Sequence, residues 1–163
     1  MSSEARDDQQ AGRGPAPELV GRLGYLLKHA QLRLSELTAA ALAPFGVNGR
    51  ELAVLLVLAG SEPASQQQAA ARLGVDRTTM VALLDALEDK GLVTRHPHVQ
   101  DRRKNVVELT AAGRDTLHHA TRAADDAERR FLAPLTKPAA RELKDALHAL
   151  IPATSRPPNE QSR

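Results

Sequence analysis

The residues best equipped to do chemistry in this chain are hydrogen-bond donors and cations gathered in two neighbouring stretches. Asp76-Arg77-Thr78-Thr79 opens a run that continues through Leu87-Glu88-Asp89-Lys90-Gly91-Leu92-Val93-Thr94-Arg95, and Asp101-Arg102-Arg103-Lys104-Asn105-Val106-Val107-Glu108-Leu109-Thr110 follows it. Guanidinium, ammonium and hydroxyl groups in such a cluster suit the recognition of phosphates and base edges. Between positions 90 and 104 the basic residues Lys90, Arg95, Arg102, Arg103 and Lys104 stand against the single acid Asp101, although the whole chain carries a net charge of only +2. Distribution, more than total charge, points to nucleic acid.

Covalent and redox chemistry find little to work with. Cysteine is absent, which removes disulfides, thiolate nucleophiles and thiolate metal sites. There is no glycine-rich phosphate loop, no glycine-flanked serine elbow and no carboxylate pair in an obvious apolar cleft. His96-Pro97-His98 and His118-His119 offer imidazoles, but no cysteine or close acid completes a ligand set, and adjacent helical residues point about 100° apart. The expectation is a binding protein and not an enzyme, with no catalytic residue, no cofactor and no metal. Tryptophan is absent and Tyr25, Phe45 and Phe131 are the only other aromatics, so stacking on single-stranded bases is disfavoured.

The elements that must carry these residues follow from spacing. Leu19, Leu23, Leu26, Leu27, Ala30, Leu34, Leu37 and Ala41 recur three or four apart, predicting one long helix from Glu18 to about Ala43, ended by Pro44-Phe45-Gly46. Arg50 to Ala59 is a second helix, apolar enough to sit in the core. Ser65-Gln66-Gln67-Gln68 matches the capping-box pattern and starts a third helix, which Gly74 stops in the left-handed conformation. Only Val75 separates it from the next cap, Asp76, and two helices joined by so tight a turn must cross steeply as a helix-turn-helix.

In the helix after Asp76, Met80, Leu83, Leu84 and Leu87 form the inward stripe. Arg77 and Thr78 face outward with Asp85 and Glu88. Leu92 to Arg95 and Val106 to Leu109 read as two strands of a hairpin whose charged loop forms a wing. Thr110 caps a helix running from Ala111 to about Leu132, and Pro138 sits in the first turn of a last one ending near Ile151. The fold class is therefore mainly α with a small β-hairpin wing: a winged helix-turn-helix with four helices, strand, wing, strand and two further helices. The long terminal helices present apolar stripes that so small a lobe cannot cover, and a second copy is the direct remedy.

A chain of 163 residues fits one domain with tails. Residues 1–17 and 152–163 are rich in Pro, Gly, Ser and charge and are expected to be disordered tails flanking a domain over 18–151. Within it, 18–44 and 111–151 supply dimerisation helices and 48–110 the DNA-binding lobe. No apolar run approaches the roughly 20 residues that span a bilayer, and the N-terminus lacks the apolar stretch of a signal peptide. A cytoplasmic protein without membrane contact is expected.

From Leu73-Gly74-Val75-Asp76 through Leu87-Glu88-Asp89-Lys90-Gly91-Leu92-Val93-Thr94-Arg95 to Asp101-Arg102-Arg103 and Leu109-Thr110-Ala111-Ala112-Gly113, the chain resembles the MarR family of bacterial transcription regulators. The family pattern runs helix, L-E-x-x-G-L-V-x-R, D-R-R, strand, L-T-x-x-G, and every fixed position is filled. The resemblance covers roughly Leu19 to Ile151. It implies a homodimer whose two reading helices enter successive major grooves of a pseudo-palindromic site, half-sites about 34 Å apart. It also implies a repressor released by a small, often phenolic, ligand.

On that reading Arg77, Thr78 and Thr79 meet base edges and flanking phosphates. Arg102 and Arg103 sit at the wing, with Arg103 entering the minor groove and Asp101 pairing to an arginine to hold the wing in shape. Lys104 and Arg95 are assigned to phosphates, and Gln66 and Gln67 could donate to them as well. For an effector, Arg22, Tyr25 and His29 follow i, i+3, i+7 spacing and would offer a guanidinium, a phenol and an imidazole to a phenol or aromatic carboxylate, or serve the dimer contact instead. Alternatives on the same fold are a regulator without a ligand, an activator, or a protein-interaction module.

Overall fold

The computed structural model describes residues 16–60, 64–97 and 105–151. The expected tails fall almost wholly outside them. So does the wing tip, Asp101 to Lys104. The described chain forms α1 (Pro17–Val20), α2 (Leu23–Leu42), a 3-10 turn (Ala43–Phe45), α3 (Gly49–Ala59), β1 (Ala64–Ser65), α4 (Gln66–Leu73), α5 (Arg77–Asp89), β2 (Val93–Pro97), β3 (Asn105–Leu109), α6 (Ala111–Leu132) and α7 (Lys137–Leu150).

The single long first helix expected from apolar spacing is two. Arg22 stands between α1 and α2 in extended backbone (φ −78°, ψ 132°), and Gly21 precedes it, a residue that weakens a helix interior. The sheet also has a third strand. β1 pairs antiparallel with β3, Ala64 opposite Val107, so the order is β1-β3-β2. The hairpin runs longer than expected, from Val93 opposite Leu109 to Pro97 opposite Asn105.

Two bodies result. The DNA lobe packs α3, α4 and α5 against the sheet around Val54, Leu55, Met80, Leu84, Leu87 and Val107, all essentially inaccessible. The arm packs α2 on α6 through Leu42, Ala120 and the half-buried Ala124, and the Phe45 ring stacks on His119 with centroids 6.4 Å apart. α7 buries nothing. It leaves Leu143, Leu147, Leu150 and Ile151 exposed, as α1 and α2 leave Leu19, Leu23, Leu26 and Leu27. These are the uncovered stripes expected of a protomer built to pair. Among the described residues no single helix is long and apolar enough to cross a membrane.

Candidate nucleic-acid interface

The two helices of the helix-turn-helix are held by matched stops and caps. α4 ends in a Schellman motif: Val75 N–H donates to the Ala70 carbonyl (3.1 Å) and Gly74 N–H to that of Ala71 (3.3 Å), with Gly74 at φ 67° as predicted. Asp76 then caps α5. One carboxylate oxygen accepts from Thr79 N–H at 2.9 Å and the other from the Thr79 hydroxyl at 2.6 Å. The hydroxyl bond, then the backbone bond, hold the Asp76 carboxyl below its ordinary value of 3.8. Thr79 is thus half-buried and turned back onto the cap.

α5 buries Met80, Leu84 and Leu87 and half-buries Leu83. Its opposite face exposes Arg77 and Thr78 in the first turn, then Ala82 and Asp85. Arg77 makes no hydrogen bond or ion pair among the described residues, so its five donors are free to meet a ligand. On α4, Gln67 is exposed and Gln66 half-buried. The capping role read for Ser65 falls on a side chain outside the described ones. A capping box not expected from the sequence lies one helix earlier, where Asn48 and Glu51 exchange hydrogen bonds at the start of α3.

α5 ends in a second Schellman motif. Leu92 N–H donates to the Leu87 carbonyl (2.9 Å) and Gly91 N–H to that of Glu88 (2.8 Å), with Gly91 at φ 69°. The chain turns directly into β2 and the wing. Arg95, on β2, reaches back to α5: its guanidinium lies 2.5 Å from Asp85 and 3.3 Å from Glu88, and its side chain is only 21% exposed. Its Nε is buried and unpartnered among the described residues.

The cation cluster read from residues 90 to 104 therefore divides. Lys90 is bonded to the buried Glu51, and Arg95 to Asp85 and Glu88. Both charges are balanced by acids outside that stretch. What remains of the cluster is Arg102, Arg103 and Lys104, outside the described residues.

A surface cavity of about 610 Å³ opens between α3, β3 and α6. Leu56, Leu58, Leu109 and Leu117 give it an apolar wall, and Arg114, whose guanidinium donates to the Leu109 carbonyl at 2.8 Å, and Arg122 line it as well. Arg22, Tyr25 and His29 do not line it. The Tyr25 and His29 rings lie 4.0 Å apart on α2, while Arg22 sits outside the helix that was to carry all three. His96 faces Glu108 at 3.3 Å across the hairpin. Among the described residues no group of three His, Asp or Glu is placed to hold a metal.

Fold and face together define a winged helix-turn-helix protein with a long-helix arm. The MarR family profile matches residues 45–104. Over 128 residues the chain is 36% identical to the HTH-type transcriptional repressor Rv2887 of Mycobacterium tuberculosis, covering 78% of this chain and 92% of that one. The chain belongs to the MarR family. The transcriptional repressor CouR, solved bound to a 23-mer DNA duplex, superposes with a TM-score of 0.78 at 35% identity, covering 84% of this chain and 97% of that one. Rv2887 in complex with p-aminosalicylic acid superposes with a TM-score of 0.64 at 35% identity, covering 79% and 98%.

Proposed function

We propose that this protein is a cytoplasmic, homodimeric repressor that binds a pseudo-palindromic duplex and leaves it when a small aromatic acid binds. The observation that carries the first half is the outward first turn of α5, where Arg77 and Thr78 stand exposed on a helix whose other face is locked into the core. A helix presented in this way docks in a major groove, its N-terminal residues at base edges. Arg77 suits a bidentate contact to guanine. Gln67 and Lys104 take phosphates and Arg103 the minor groove. Thr79 serves indirectly, by keeping Asp76 capped, and Arg95 by strapping the wing to the reading helix.

The cavity supports the second half. It is walled by β3 of the DNA lobe and α6 of the arm, so an occupant bears on the angle between them. Arg114 and Arg122 can meet a carboxylate while the leucines meet a ring. Relatives of this chain include a repressor solved with an aromatic acid. Arg22, Tyr25 and His29 are left to the apolar arm and its dimer contact. A ligand there releases DNA only by favouring the arrangement that cannot bind it.

A mobility-shift titration tests the reading. Arg77→Ala and Arg103→Ala should each cost about 1–3 kcal/mol in operator binding with the dimer intact by size-exclusion chromatography, and salicylate should release the wild-type complex. Unchanged affinity in both variants would remove the interface; release undiminished in an Arg114→Met, Arg122→Met variant would remove the cavity.

A further inference from the structure

Lys90 is the C-terminal cap residue of α5. Its ammonium lies 2.8 Å from both carboxylate oxygens of Glu51 and 2.8 Å from the Gly46 carbonyl, so each of its three donors has an acceptor. Glu51 is the one buried charged residue among those described, 3% exposed, and its Oε2 also accepts from Asn48 N–H at 2.9 Å. Gly46, at φ 65°, is the residue on which the arm helix and its 3-10 turn end. One side chain therefore joins the far end of the reading helix, the first turn of α3 and the terminus of the arm.

The rest of α5 packs on α3, α4 and β2, within the DNA lobe. The Lys90–Gly46 bond crosses to the arm where α2 and its 3-10 turn end, as the Thr110 bonds to Gly91 and Leu92 do at the start of α6. The pair is only partly buried, Glu51 being inaccessible while the Lys90 side chain is 39% exposed, and an ion pair taken out of water is a poor source of net stability compared with apolar packing. What its three directed bonds supply is a fixed geometry. In a dimer whose arms pair, the distance between the two reading helices depends on how rigidly each is held to its own arm.

We propose that Lys90 is a positioning residue for DNA recognition: through Glu51 and Gly46 it fixes the reading helix to the dimer arm and so sets the half-site spacing that the protein accepts. This rests on the DNA-binding dimer proposed above. Lys90→Met alone strands a buried carboxylate and can unfold the lobe. The Lys90→Met/Glu51→Gln double variant removes that charge, and its amide oxygen can still accept from Asn48 N–H.

The test uses the full-length protein and the duplex that the wild type selects from a random-sequence pool, together with versions in which one base pair is added or removed at the centre, a displacement of about 3.4 Å. The double variant, folded by circular dichroism and dimeric by sedimentation, should bind the selected duplex about tenfold more weakly and discriminate less between the three spacings, with affinity for an unrelated duplex unchanged. Full discrimination retained by the double variant, or loss of its fold or dimer, makes Lys90 a stabilising residue only and overturns the proposal while leaving the DNA-binding reading in place. A wild type that selects no duplex overturns both.

Discussion

Asp76 and Thr79 illustrate how one residue's job can hide another's. From sequence both stand at the tip of a reading helix, and Thr79 looks like a base contact. In three dimensions its hydroxyl and N–H both serve the Asp76 carboxylate. The cap was legible because an Asp before an apolar-periodic run is a strong local signal. The part that Thr79 plays in that cap was not, since only geometry shows which way a hydroxyl turns. These bonds favour the ionised carboxylate in the folded state, so its folded pKa lies below the unfolded one. Their stabilisation is present above the unfolded value and is lost as pH falls through the folded one. Urea midpoints of the wild type and Asp76→Ala should thus differ at neutral pH and converge below the ordinary value of 3.8. A constant difference down to the acid limit would show that the carboxylate's charge plays no part.

At the scale of elements, the two ends of the L-E-x-x-G-L-V…L-T-x-x-G pattern turn out to touch. Thr110 caps α6 by accepting from Gly113 N–H at 2.9 Å, and its hydroxyl donates to the Gly91 carbonyl at 2.7 Å. Thr110 N–H donates to the Leu92 carbonyl at 3.1 Å. A Cβ at Gly113 would land on that same carbonyl group, 2.9 Å from its carbon. The motif is therefore a junction in which α6 starts against the turn that ends the reading helix. Gly→Ala within an ordinary helix stabilises by about 0.5–1 kcal/mol. Here the sign should reverse. Gly113→Ala should lower the unfolding free energy by about 2 kcal/mol, the scale of overpacking a filled site, as read by urea denaturation. A neutral or stabilised variant would mean that α6 is not seated against Leu92.

Sequence spacing showed that these elements exist and in what order, because each carries its own periodicity, cap or stop. It missed features that need a partner from elsewhere. β1 is two residues long, too short to show alternation, and is a strand only because β3 lies beside it. Lys90 and Arg95 look like free cations in the sequence because Glu51 lies on another helix and Asp85 and Glu88 meet Arg95 only once β2 folds back onto α5. The break at Gly21 was legible in principle, but the apolar repeat runs straight across it. The Asn48–Glu51 capping box is equally legible, its N-x-x-E spacing being a local signal.

For the whole molecule, the exposed leucines of α1, α2 and α7 are the strongest statement that a protomer is half of something. Leu23 is 65% exposed and Leu150 71%, where burying a leucine fully is worth about 1.5–3 kcal/mol. Leu23→Lys combined with Leu150→Lys should yield a folded monomer by sedimentation and circular dichroism, with operator binding reduced by more than about tenfold as the second half-site is lost. A dimer that survives both substitutions would place the pairing surface elsewhere. The same symmetry gives the central claim its sharpest form. Duplexes selected by the wild-type protein from a random-sequence pool should converge on two inverted half-sites centred about 34 Å, one helical turn, apart, with enrichment lost in Arg77→Ala. Convergence on a single half-site, or no enrichment over unselected DNA, would contradict the account.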